Sequence, residues 1–74
     1  MSKAGKLFYN KDNDRMDIVF NNGNTYGGLH CGTCLDVKIK GKYVQTRIEM
    51  GREWGLVGTG LIGIDNLNGL SVRM

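Results

Sequence analysis

The sequence predicts a small all-β domain, an SH3-like barrel or roll of roughly five to seven short antiparallel strands. Three observations lead there. Period-two alternation of apolar and polar residues recurs along the chain, and no stretch of about ten residues holds a helical period. The 74 residues include 12 glycines, a density that supplies turns and bulges and disfavours long helices. Polar, glycine-bearing clusters bound the alternating runs at short intervals, with no linker and no repeat, so residues 1–74 read as one domain.

Lys6-Leu7-Phe8-Tyr9 reads as the first strand, closed by the polar turn Asn10-Lys11-Asp12-Asn13-Asp14. In the next run Met16, Ile18 and Phe20 fall on one face, and Arg15 and Asp17 on the other. Asn22-Gly23 is the strongest short hairpin signal in the chain and predicts a type I′ turn, with positive φ at both central residues. Thr25-Tyr26 would begin the returning strand, and Gly27-Gly28 would bend or end it.

The clearest unit runs from Cys34 to Met50. If Lys40-Gly41 form a two-residue turn, Val37 pairs with Val44, Leu35 with Thr46 and Cys34 with Arg47. That register gathers Leu35, Val37, Ile39, Val44, Thr46 and Ile48 on one buried face. Asp36, Lys38, Tyr43, Gln45, Arg47 and Glu49 take the other. Trp54 to Val57 gives a further short strand, and Leu70 to Met74 a last one, with Leu70, Val72 and Met74 inward. Between them, Gly58 to Asn66 reads as a loop bearing exposed Leu61, Ile62 and Ile64, a mobile flap or a segment ordered by a partner.

A chain this short buries only about 60% of the surface that its unfolded form exposes, so its core is thin. Small scaffolds commonly add a disulfide, a metal or a second subunit, and the three aliphatics of the loop make a homodimer the expectation. No window reaches the roughly 18 apolar residues of a membrane span. The start, Met1-Ser2-Lys3-Ala4-Gly5-Lys6, has no apolar run after its charges and does not read as a secretory signal. A cytoplasmic protein with reduced thiols follows as the expectation. The net charge of +3 favours acidic partners, although surplus lysines also serve simply to keep a small domain soluble.

Chemical character concentrates in Gly27-Gly28-Leu29-His30-Cys31-Gly32-Thr33-Cys34. A zinc tetrahedron needs four ligands, and one chain offers only His30, Cys31 and Cys34, so a complete site would require a second chain's cysteines. A redox dithiol would need its Cys-x-x-Cys at a helix start, whereas this one lies in a loop entering a strand. The third reading is a pair of small, semi-buried residues in a glycine-rich corner, with His30 making a hydrogen bond. It leaves the chain with neither metal nor cofactor. Cys34 and His30, with Arg47 across the strand pair, sketch a nucleophilic pair, but no third member or oxyanion site accompanies them. The reading is a non-enzymatic chain with no catalytic residue.

Lys38, Lys40 and Lys42 cluster at the hairpin tip, with Tyr43 beside them and Arg47 and Glu49 further along the same face. Cations interleaved with an aromatic ring are the ingredients of a strand platform for nucleic acid. The alternative is a solvated tip whose lysines discourage edge pairing. Trp54, the single tryptophan, is either core filler or a half-exposed interface anchor.

Several stretches together carry a resemblance: Tyr26 to Gly32 leading into Cys34-Leu35-Asp36-Val37, then Gly41-Lys42-Tyr43-Val44, Thr46 to Met50, Trp54 to Gly58 and Leu67 to Arg73. From Leu7 onward the chain resembles DUF5348, a domain-of-unknown-function family of short proteins from Gram-positive bacteria and their mobile elements. The resemblance implies a bacterial or phage setting and no activity. The expected function is a small binding module engaging an acidic partner, whether nucleic acid, nucleotide or acidic protein surface, through Lys38, Lys40, Lys42, Tyr43, Arg47 and Glu49, with His30 and Trp54 as further contacts. Two alternatives stand beside it: a phage or mobile-element inhibitor that occludes a bacterial defence enzyme, and a structural homodimer, zinc-bridged or otherwise.

Overall fold

The computed structural model describes residues 3–74, so the first two residues of the N-terminal segment lie outside the described residues. Strands β1 (Ala4–Asn10), β2 (Arg15–Phe20), β3 (Cys34–Ile39), β4 (Lys42–Met50), β5 (Trp54–Leu56), β6 (Leu61–Ile62) and β7 (Ser71–Arg73) form one antiparallel sheet in the order β2-β1-β7-β3-β4-β5-β6. A single turn of helix, α1 (Ile64–Leu67), precedes β7. The fold is all-β. No strand pairing joins β2 to β6 among the described residues, yet Leu7 and Ile18 from one end of the sheet share a core with Trp54 and Leu56 from the other. The sheet therefore rolls over its apolar face without hydrogen-bonded closure.

The last strand takes a central place. Val72 pairs with Gly5 on one side and Val37 on the other, which ties the first hairpin to the second. The β3–β4 hairpin has the register that the alternation predicts, Val37 opposite Val44 and Cys34 opposite Arg47. Lys40 and Gly41 carry the positive φ values, 50° and 82°, that a type I′ turn demands. One residue departs from the pattern: Val44, expected in the core, is 40% exposed. On β4, β5 pairs only with Ile48 to Met50, so the first half of β4 has no strand partner on that side among the described residues.

Three further expectations need correction. Within the turn 21–24 only Gly23 has positive φ, and its N–H donates to the Phe20 carbonyl while the Phe20 N–H donates to the Asn24 carbonyl. The connection is thus a three-residue loop with a glycine bulge rather than a type I′ turn. The returning strand shrinks to the Val19–Thr25 bridge plus N–H donations from Tyr26 to Ile18 and from Leu29 to Met16. That returning segment also buries Asp17, expected on the polar face. Its Oδ1 accepts the N–H groups of Ile18 at 2.8 Å and Gly27 at 3.0 Å, which gives this buried polar side chain its hydrogen-bond partners. Finally, Gly58 to Asn66 is not simply a loop. Leu61 packs on the core from β6, and α1 buries Leu67 beside β1, while Ile62 stays 54% exposed.

Leu70 and Met74 pack against the core around buried Val72, as the alternation predicts. No helix among the described residues is long and apolar enough to cross a membrane.

Candidate functional site

Strand pairing alone explains why cations meet on the outer face. Lys38 stands opposite Tyr43 across the hairpin, and Arg73 stands opposite Asp36 across the β3–β7 pairing. Both cations lie over the Tyr43 ring, the Arg73 guanidinium 4.1 Å and the Lys38 Nζ 5.9 Å from its centroid. Arg73 Nε also donates to Asp36 Oδ2 at 3.1 Å, which fixes the guanidinium over the ring. One strand further, Lys6 donates from Nζ to Ser71 Oγ at 2.7 Å. Lys38, Lys40 and Lys42 form no salt bridge among the described residues. The result is a cationic sheet surface with one aromatic ring at its centre.

Arg47 and Glu49 lie on the same face toward the end of β4, where Arg47 Nε donates to Glu49 Oε2 at 3.0 Å. Both side chains are solvated, so the pair adds little stability and chiefly mutes the Arg47 charge. His30 is exposed in the neighbouring loop. Its backbone N–H donates to Thr33 Oγ1 and its carbonyl accepts from the Thr33 N–H, but its imidazole makes no hydrogen bond among the described residues. The side-chain bond expected of His30 is therefore absent there. Cys31 and Cys34, expected to be semi-buried, are both free and exposed, because the loop stands clear of the core before Leu35 enters it. Among the described residues no group of three or more His, Cys, Asp or Glu side chains is placed to hold a metal ion.

Trp54 does not join the platform. It is 4% exposed and sits in the core at β5, which fits the core-filler alternative rather than the half-exposed anchor. Reading the sequence missed Arg73 and Lys6. Alternation around Val72 turns Arg73 outward, but nothing local signals that β7 lies beside β3 or that Lys6 would flank Ser71.

A second polar contact lies at the turn after β1, where the Tyr9 hydroxyl donates to Asp14 Oδ1. This hydrogen bond, aided by desolvation and by the carboxylate's charge, pushes the Tyr9 phenol above its ordinary value. A raised phenol pKa means that the neutral form is favoured in the folded state. The contact's stabilisation is present below about pH 10 and is lost as pH rises through the folded value. In an alkaline titration followed at the phenolate absorbance, Tyr9→Phe is expected to remove a component titrating above about pH 10. Loss of a component at or below that pH would disprove the contact.

Comparison with known proteins adds a family and a fold, and no activity. The family model for a domain of unknown function, DUF5348, matches residues 5–74. A crystal structure of a protein from Ruminococcus gnavus, a structural-genomics target, is similar at 50% identity with a TM-score of 0.84, over 97% of this chain and 100% of that one. No curated protein matches. With the match running through every strand but the first residue of β1, this chain belongs to the DUF5348 family.

Proposed function

We propose that this chain is a non-enzymatic binding module whose outer sheet face engages an acidic macromolecule, with single-stranded nucleic acid as the class that fits it. The observation that carries this reading is the Tyr43 ring with Arg73 and Lys38 over it, with Lys6 held at Ser71 on β7 and exposed Lys40 and Lys42 at the hairpin tip. An exposed sheet with one aromatic offers a stacking surface to any base, while lysines around it follow a phosphate backbone without reading sequence. The salt bridges of Arg73 and Arg47 hold those two cations in place, and the three tip lysines remain to meet phosphate.

Fluorescence anisotropy with a labelled oligothymidylate tests the reading. About four phosphate contacts would give a fall in affinity of about fiftyfold between 50 and 200 mM salt. Tyr43→Ala is expected to weaken binding by about tenfold, the loss of one stacked base. Binding that ignores salt would instead point to an apolar protein interface, and no binding at 50 mM salt would reject the nucleic-acid reading.

A further inference from the structure

At the far end of β4 the surface reverses its character. A cleft of about 600 Å³ opens there, lined in part by Met50, Trp54 and the segment Ile62 to Asn66. Asp14, Glu53 and Asp65 line it against the single guanidinium of Arg52. Asp14 is engaged by the Tyr9 hydroxyl, whereas Glu53 and Asp65 form no salt bridge among the described residues. The Glu53 carboxylate rests where a side chain at position 63 would begin. A Cβ on Gly63 would stand 3.3 Å from Glu53 Oε1, and the φ of 95° at Gly63 also favours glycine. Met50 at 43% and Ile62 at 54% exposure supply apolar surface beside these charges.

Trp54 also lines the cleft from the edge of the core. The residue is 4% exposed, and its Nε1 has no hydrogen-bond partner among the described residues. A buried donor without an acceptor costs about 1–3 kcal/mol and is uncommon in a folded chain.

We propose that this cleft binds a basic side chain of a partner peptide, an arginine or lysine, with its cationic head at Glu53 and Asp65 and its aliphatic stem over Met50 and Ile62. Charge complementarity selects this occupant. Surplus carboxylate repels nucleic acid and acidic proteins, and the apolar rim suits the hydrocarbon stem that Arg and Lys bury while their heads stay polar. The cleft does not depend on the cationic platform. Tyr43 and Met50 stand seven residues apart on β4, about 23 Å at 3.3 Å per residue and more than twice the roughly 8 Å screening length in physiological salt, and Arg47, nearer the cleft, is paired with Glu49.

Trp54 is the single tryptophan and lines the cleft, so its emission is the optical probe beside the bound peptide. The probe is the peptide acetyl-Leu-Arg-Leu-amide, compared with its citrulline counterpart, which keeps the shape and loses the charge. Saturable change in emission is expected with the arginine peptide, with at least tenfold weaker binding of the citrulline peptide. A Glu53→Gln/Asp65→Asn double variant with unchanged far-UV circular dichroism is expected to lose about tenfold for the arginine peptide, whereas Tyr43→Ala is expected to leave it unchanged. Equal binding of the two peptides, or no saturable response to either at millimolar concentration, would overturn the proposal even if the double variant failed to fold. Emission that shifts with protein concentration alone, together with doubled mass in light scattering, would give the cleft to a second copy and likewise overturn it.

Discussion

Val37→Asp is expected to leave the chain without a cooperative unfolding transition. Val37 is fully buried at the centre of β3, paired with Val44 on β4 and with Val72 on β7. Both neighbouring strands bring apolar side chains to that point, so an introduced carboxylate finds neither water nor a cation. Its burial as an ion is prohibitive, and taking up a proton instead still leaves polar oxygens without partners. A chain of this length has about 4–11 kcal/mol of stability to lose, and a disrupted centre of β3 also unties the two hairpins that β7 joins. Lys38→Asp, one residue along on the exposed face, is the matched control. It forfeits a solvated cation–ring contact worth about 0.5–1 kcal/mol and should lower the melting temperature by about 8 °C at most. Thermal melts followed by circular dichroism separate the two variants, and similar midpoints would mean that the β3 faces are wrongly assigned.

How much of this was legible follows the distance along the chain between contacting residues. The β3–β4 hairpin could be read in register because a two-residue turn and period-two alternation are local signals. With it came Lys38 and Tyr43 as neighbours. Arg73 could not be placed on Tyr43, because that contact depends on β7 sliding between β1 and β3, a pairing with no local sequence signature. The cleft at Trp54 is harder still, since it is assembled from positions as distant as Tyr9 and Asn66. Helix α1, at four residues, is too short to show a helical period and was hidden in a run that reads as loop. Burial of Asp17 and exposure of Cys34 fail for a shared reason. Alternation assigns a side chain to a face, but whether that face is covered depends on which segment crosses it, and here the crossing segment covers β2 and not the start of β3.

Gly5→Ala is expected to destabilise the fold sharply although it adds only one methyl group. Gly5 lies on β1 between Phe20 of β2 and Val72 of β7, buried on the inner face. A Cβ there would meet the Val19 carbonyl oxygen at 2.4 Å and the Phe20 Cα at 2.8 Å. Both are backbone atoms in a paired strand, so the clash cannot be relieved by turning a side chain. β1 and β2 must separate at this point or shift register, and the Asn21 N–H donated to the Ala4 carbonyl lies beside it. Overpacking of this kind costs about 1–3 kcal/mol or more, equivalent to a fall of about 4–24 °C in melting temperature for a domain of this size. Gly51→Ala provides the comparison, because nothing lies within 4 Å of its Cβ position and its φ is not in the left-handed range. Alanine there should be neutral or slightly stabilising, since it lowers the entropy of the unfolded chain. If Gly5→Ala melts with Gly51→Ala, β1 and β2 do not approach as closely as this pairing requires.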